Sequence, residues 1–336
     1  MPAKFLYIWI LVLILSACNK EDLSLGEKIT AIPVGFPPIL EPIDNEYSHA
    51  RWLLGKKLFY DPILSRDSTI SCASCHKIGL AFADMEIVSP GVDQLIGKRN
   101  SPSLANVAYH PYFMREGGVN TLEAQVLVPL QEHTEMDFNI VAAGERLNTI
   151  EAYNKMSLLS YNREMDYYVV TRALACFERT LISGDSPYDQ YHFQNKNSAL
   201  SEMEIRGMNL FFSNRTNCGN CHGDFNFTNY AFENNGLYAV YEDQGRFILT
   251  SEETDREKFK VPSLRNVGLT APYMHDGSMS NLEAVIEHYN IGGHVNLNKS
   301  PLITPLNLNG NEKEDLIAFL HTLTDTKFIN NKLLKP

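Results

Sequence analysis

Apolar residues along this chain recur at helical rather than strand spacing. Val169, Val170, Ala173, Leu174 and Phe177 line one face of a predicted helix, within which Cys176 reads as a buried, inert thiol. Val285, Ile286 and Tyr289 repeat that pattern, while alternating β-branched runs are few. The pattern also recurs as a whole. Leu58-Phe59 return as Leu210-Phe211, Pro102-Ser103-Leu104 as Pro262-Ser263-Leu264, and Asn106-Val107 as Asn266-Val267. Pro111-Tyr112 return as Pro272-Tyr273, Gly117 as Gly277, and Leu122-Glu123-Ala124 as Leu282-Glu283-Ala284. Each half is predicted to carry a helix ending near Leu-Phe, a Pro-rich loop, and a helix beginning near Leu-Glu-Ala. The expected fold is mainly α, built from a duplicated module.

The first 18 residues differ from this pattern. Lys4 precedes the apolar run Phe5 to Leu15, which ends in Leu15-Ser16-Ala17-Cys18. A charged head, a short apolar middle and a small-residue exit make an export signal, too short to span a bilayer comfortably. Small residues before a cysteine resemble a lipobox, in which Cys18 becomes the acylated first residue; an ordinary signal peptide with a chance cysteine is the alternative. Residues 19–44, with Pro33, Pro37, Pro38 and Pro42, read as a Pro-rich tether. The expected location is periplasmic, anchored to a membrane only through lipid on Cys18.

A chain of 336 residues with 44% hydrophobic and 21% charged residues can fill two cores, which excludes wholesale disorder. Its net charge of −11, with no dense Lys/Arg run, argues against nucleic acid and suits a basic protein partner or a small neutral substrate. Cysteine spacing carries the chemistry. Cys72-Ala73-Ser74-Cys75-His76 and Cys218-Gly219-Asn220-Cys221-His222 are C-x-x-C-H motifs, in which two thiols bond the vinyl groups of a haem and the adjacent His supplies an axial nitrogen. Residue frequencies give roughly 0.003 chance matches per chain, so two matches imply two covalent haems. A shared zinc site needs its cysteine pairs about 15 to 20 residues apart, whereas these lie about 140 apart and each has its own His.

Leu54-Gly55, Leu58-Phe59-Tyr60-Asp61-Pro62, Ile70-Ser71-Cys72, Gly97-Lys98-Arg99-Asn100-Ser101-Pro102 and Thr270-Ala271-Pro272-Tyr273-Met274-His275-Asp276-Gly277 follow in an order that resembles the bacterial dihaem cytochrome c peroxidases and their MauG relatives. The resemblance runs from about Glu46 to about Leu323. It implies two cytochrome c-type haem domains sharing an interface, 45–190 N-terminal and peroxidatic, 191–336 C-terminal and electron-transferring. It also implies hydrogen peroxide as substrate and a small donor protein, of cytochrome c or cupredoxin type, as electron source; a homodimer is compatible with it.

By family position, Gln125, Pro129 and Glu135 fall where the distal pocket of the peroxidatic haem falls. Glu135 is then the general acid-base group, moving a proton from one peroxide oxygen to the other so that water leaves, and Gln125 orients the peroxide. Read without the family, Glu135 is an ordinary solvated carboxylate. The family's inter-domain calcium, held by an Asn side chain and two carbonyls, maps to Asn100, Thr270 and Pro272, oxygen donors that suit a hard cation.

Three positions depart from the family. Val92 stands where many relatives place a His that caps the resting N-terminal iron, so that iron is expected to be open without prior reduction. Arg115 stands where relatives place a Trp between the haems, and the chain's two tryptophans, Trp9 and Trp52, lie elsewhere. Tyr289 falls at the second axial position of the C-terminal haem, where peroxidases supply Met and MauG supplies Tyr, and is taken as that ligand; His288, Met279 and Met274 are the nearby alternatives, and core packing is the other reading of Tyr289. Tyr289 points toward a MauG-like oxidase acting on a protein substrate through high-valent iron, but the missing Trp keeps a hydrogen peroxide-reducing peroxidase as the expected function, with the MauG-like oxidase as the alternative. An electron carrier without catalysis has no use for the Gln-Pro-Glu set.

Overall fold

The computed structural model describes residues 31–336. The signal, the lipobox with Cys18, and residues 19–30 of the tether lie outside the described residues. The fold is mostly helical; the single named sheet among the described residues pairs Phe232–Glu233 with Phe259–Lys260, antiparallel. Among those residues, no helix is long and apolar enough to cross a membrane.

Each half is built on a crossed helix pair. In the first, Ser48 caps the helix His49–Tyr60 by accepting from the Arg51 amide at 3.2 Å, and Asp61-Pro62 ends it. This helix lies on Tyr167–Glu178, capped by Asp166, with Phe59 and Phe177 ring centres 5.1 Å apart. In the second, Glu202–Phe211 lies on Gly310–His321; both begin in reciprocal capping boxes, Ser201/Glu204 and Asn309/Glu312, and Phe211 meets Phe319 at 5.1 Å. A glycine sits at each crossing. A Cβ at Gly55 would stand 1.8 Å from the Ala173 carbonyl oxygen, and one at Gly207 1.9 Å from that of Asp315, so the backbones touch directly.

The buried apolar residues fall into two clusters. One gathers Leu54, Leu58, Phe59, Val170, Leu174 and Phe177, the other Phe211, Phe227, Leu316, Phe319 and Leu323. Each such side chain contributes about 1.5–3 kcal/mol on burial. The chain beyond Leu323 returns to the first cluster: Phe328 and Leu334 pack there, and Tyr60 donates to the Leu334 carbonyl at 2.5 Å. The division at 190/191 therefore fails for the C-terminal tail, because its apolar residues complete the other core.

Two asparagines at equivalent positions, Asn106 and Asn266, both adopt left-handed backbone (φ 61° and 59°) and grip the connector between the halves. Asn106 exchanges two 2.8 Å bonds with the Ser183 backbone, and Asn266 donates to the Ser183 hydroxyl at 2.9 Å. Asp325 accepts from the Gly184 and Asp185 amides at 2.9 Å.

The described part of the expected tether is docked. Phe36 is buried against Phe225 (4.7 Å between ring centres), Tyr109 and Phe193, with the Arg265 guanidinium 4.6 Å over its ring. A buried aromatic ring contributes more than chain entropy costs there. The repeat also registers differently by one residue. Phe113 bridges to Val119 as Tyr273 bridges to Met279, and Met114 and Met274 share positive φ (64° and 76°), so Arg115 matches His275.

Candidate haem-binding and catalytic site

Cys72–Cys75 and Cys218–Cys221 each form one helical turn, followed immediately by His76 and His222. All four thiols are free. Burial first, and neighbouring carboxylates after it, push the Cys72 thiol well above its ordinary range, and burial pushes Cys221 up to about 11. The two histidines are oriented alike. His76 Nδ1 lies 2.8 Å from the Phe82 carbonyl oxygen and His222 Nδ1 3.1 Å from that of Phe227. A carbonyl only accepts, so Nδ1 carries the proton and Nε2 keeps its lone pair; burial lowers both imidazoles and keeps them neutral. Two thiols and one imidazole lone pair per half fit a covalent haem. Among the described residues, no three His, Cys, Asp or Glu side chains gather as a closed metal cage.

Pro129 shapes the neighbourhood of Glu135. It has no N–H to give the Gln125 carbonyl four residues back, and the helix breaks there into Leu122–Gln125 and Leu127–Gln131. The chain then doubles back, Met136 donating to Pro129 (3.2 Å) and Phe138 to Leu130 (2.8 Å). Val92, buried, donates its amide to the Glu135 carbonyl at 2.8 Å. Gly91 admits this approach: a Cβ there would stand 2.2 Å from the Thr134 oxygen and 2.5 Å from that of Glu135. Arg66 holds the other side, pairing with Asp137 at 2.6 Å and with Asp93. The Glu135 residue is open to solvent, yet its carboxyl is recessed among protein atoms. That desolvation, with the Glu132 charge second, pushes it up to about 7. Gln125 makes no side-chain hydrogen bond among the described residues. His133 is exposed and pairs with Asp137 at 3.2 Å.

In the second half the corresponding helix, Leu282–Asn290, is unbroken. It presents Tyr289, whose hydroxyl faces the Asn235 amide and lies within electrostatic reach of Cys218 and Cys221; burial raises it and the Asn235 amide opposes that. Two of the alternatives share the Asn235 contact with Tyr289. His288 Nε2 meets the Asn235 carbonyl oxygen at 3.1 Å, and Met274 Sδ accepts from Asn235 Nδ2 at 3.3 Å. Met279 pairs with Tyr273 through its backbone.

Of the calcium donors named from the family, Asn100 is tied by its backbone to the neighbouring segment. The Asn100 amide donates to the His275 carbonyl at 2.9 Å, which ties it to the segment carrying Thr270 and Pro272. Asn100 Nδ2 donates to the Glu86 and Ile87 carbonyls (3.0 and 3.4 Å), which leaves Oδ1 as an acceptor.

Residues 49–198 match the family model for di-haem cytochrome c peroxidase. The methylamine utilization protein MauG of Methylorubrum extorquens is 35% identical over 308 residues, covering 91% of this chain and 86% of that one. The chain belongs to the dihaem cytochrome c peroxidase and MauG family. A cytochrome-c peroxidase, IdrP1, of Pseudomonas sp. is 33% identical over 358 residues, covering 91% and 93%. A crystal structure of a MauG-like protein associated with microbial copper homeostasis superposes with a TM-score of 0.86 at 34% identity, covering 90% and 97%. The relatives thus divide between the two names, and membership implies two c-type haems. Sequence reasoning missed Phe82, Phe227 and Asn235. A signal for the first two was present, since each motif histidine is followed by a Phe five or six residues on.

Proposed function

We propose that this is a hydrogen-peroxide-consuming dihaem enzyme of MauG type, with His76 and Glu135 serving the reacting haem and His222 and Tyr289 holding the second. A haem held by Cys72, Cys75 and His76 would supply the redox-active iron for peroxide reduction. The chain's residues manage the protons. The Glu135 carboxylate takes a proton from one peroxide oxygen and returns it to the other, Gln125 donates an amide hydrogen bond that orients the pair, and Val92, which has no donor atom, keeps the position beside them unligated. Overall, peroxide takes up two electrons and two protons to give two waters; in a MauG-type reaction a partner protein's side chain loses them.

The observation that carries this reading is the hydroxyl of half-buried Tyr289, within electrostatic reach of Cys218 and Cys221; Asn235 bonds this hydroxyl, the Met274 sulfur and the His288 nitrogen alike. A phenolate donor favours oxidised iron, which suits extraction of electrons from a protein more than relay from a reduced carrier. Arg115 in place of Trp favours the second reading, a peroxidase fed by a small donor protein through the C-terminal haem. Stopped-flow mixing of the oxidised protein with peroxide, with and without a reduced cytochrome c or cupredoxin, tests the choice. Stoichiometric, sustained oxidation of the added donor selects the peroxidase; a fast haem change that does not consume donor selects the MauG type. We place the protein outside the cytoplasm, tethered through Cys18.

A further inference from the structure

Arg115 lies where the two halves meet, beside its repeat counterpart. Its Nη2 donates to the Asn100 carbonyl at 2.8 Å, and the Asn100 amide donates to the carbonyl of His275 at 2.9 Å. From the other half comes Lys260, whose amide donates to the Arg115 carbonyl at 2.6 Å and whose Nζ donates to the Tyr112 carbonyl at 2.8 Å. Lys260 Nζ also lies 3.4 Å from His110 Nδ1. The strand bearing Lys260 adjoins a haem attachment point: Val261 donates to Ala231 at 2.8 Å, and Asn229, two residues earlier, donates to the Cys221 carbonyl at 2.8 Å.

The charges around this junction do not cancel locally. Arg99 takes Asp243 (2.7 and 3.1 Å) and Glu116, Arg246 takes Asp255 at 3.4 Å, and Asp276 accepts from the Tyr238 hydroxyl at 2.6 Å. Among the described residues, neither Arg115 nor Lys260 has a carboxylate within ion-pair distance; Arg115 donates to a carbonyl, and Lys260 to a carbonyl and to His110 Nδ1. Burial first, then a neighbouring cation, holds Arg115 down to about 10 and Lys260 to about 8, against the opposing pull of Asp276, Asp243 and Glu116 on Arg115 and of Glu116 on Lys260. Arg115 Nε and His110 Nε2 are closed off from solvent and have no partner. His110 is held neutral, down to about 3, by burial and then by Lys260; its Nδ1 faces the ammonium and accepts, so Nε2 carries the proton. Two buried donors, Arg115 Nε and His110 Nε2, are therefore left without an acceptor near the Lys260 ammonium, and buried donors are rarely left so.

We propose that Arg115, Lys260 and His110 form a carboxylate-binding pocket at the junction of the halves, and that it takes haem propionates. Each c-type porphyrin carries two carboxylates and is fixed in place by its thioether bonds, so the anion arrives with the cofactor rather than from solution. Arg115, standing where relatives have a tryptophan, then contributes a fixed positive charge at the junction. The inference rests on the two-haem reading of the chain.

The test uses the holoenzyme and its Arg115→Gln, Arg115→Lys and Lys260→Gln variants. Intact mass and a pyridine haemochrome assay first count the haems; fewer than two in the wild type defeats the two-haem reading itself. Spectroelectrochemical titration of each haem then follows. Loss of a cation beside a propionate favours ferric iron, so Arg115→Gln and Lys260→Gln are expected to raise the oxidised-to-reduced ratio of at least one haem about tenfold at fixed ambient potential, or about 59 mV for one electron. Arg115→Lys should retain most of the wild-type value, and the propionate-bending bands in resonance Raman spectra should shift in the Gln variants alone. Unchanged titrations and Raman bands in Gln variants that hold two haems overturn the proposal. So does a wild-type potential that moves with added phosphate or chloride, which would show a free-anion site. If Arg115→Gln does not fold, Lys260→Gln and Arg115→Lys carry the same decision.

Discussion

Thr121 and Asn281 cap two helices that open with the same Leu-Glu-Ala triplet, at 3.2 and 2.8 Å, and seven residues past each opening leucine the chain has Pro129 in one half and Tyr289 in the other. Proline ends hydrogen bonding to Gln125, splits the helix and sends the chain back to present Glu135. Tyrosine leaves the helix whole and supplies an oxygen near Cys218 and Cys221. The histidines, their carbonyl partners and the helix crossings are otherwise alike. On the proposed reading, one position in a duplicated module separates a half with Glu135 as proton-transfer group from a half with Tyr289 as second ligand.

The largest effect should come from emptying one half at a time. Cys72→Ala/Cys75→Ala is expected to leave one covalent haem by intact mass and to abolish the rapid spectral change with peroxide, whereas Cys218→Ala/Cys221→Ala should lose the other haem and keep that change. Equal responses from the two double variants would end the division of labour.

Next in size is Glu135→Gln, expected to slow the peroxide step by about 10²- to 10⁴-fold, the usual range for a general acid-base group. The pH profile sharpens it. The carboxyl is raised to about 7, so the proton-accepting carboxylate dominates above that pH and is lost below it. The wild-type rate should fall as pH drops through about 7, and Glu135→Gln should flatten the profile; a parallel fall in the variant would assign the titration to another group.

Much of this contrast was legible in the sequence. The repeat, the two C-x-x-C-H motifs and the helices flanking them are local patterns, and Cys176 lies buried within its helix as its spacing indicated. What escaped is nonlocal. The carbonyls of Phe82 and Phe227 act through backbone atoms that any residue possesses, Asn235 meets Tyr289 and His288 across some fifty positions, and Phe36 docks into rings brought together only by the fold. Proline content correctly marked 31–44 as irregular, but irregular backbone can still bury a ring. The one-residue slip in the repeat arose because Pro111-Tyr112 and Pro272-Tyr273 look alike, while the bridge partners Val119 and Met279 set the register.

A smaller effect is expected at Tyr289. Tyr289→Phe should alter the electron paramagnetic resonance signal of the C-terminal haem, and Tyr289→Met should raise its potential, since thioether sulfur favours ferrous iron relative to phenolate. The N-terminal signal should not move in either variant. A sulfur-to-iron charge-transfer band in the wild type would give the position to a methionine and weaken the MauG-type reading.

The smallest effect compares the halves as folded units. Ala normally gains about 1 kcal/mol over Gly inside a helix. At Gly55 and Gly207 that gain is overridden, because a methyl group would stand 1.8 and 1.9 Å from a carbonyl oxygen and the helices must separate, an overpacking cost of about 1–3 kcal/mol or more. Gly55→Ala and Gly207→Ala should each lower the melting temperature by a few degrees, at about 2–4 °C per kcal/mol for domains of roughly this size. Calorimetry also tells whether the halves unfold together. Ser183 is bonded by both Asn106 and Asn266, Asp325 holds the connector, and Phe328 and Leu334 sit in the opposite core. With such crossing ties, either glycine variant should shift one common transition; two separable transitions, each sensitive to only its own glycine, would show that the ties are too weak to couple the halves.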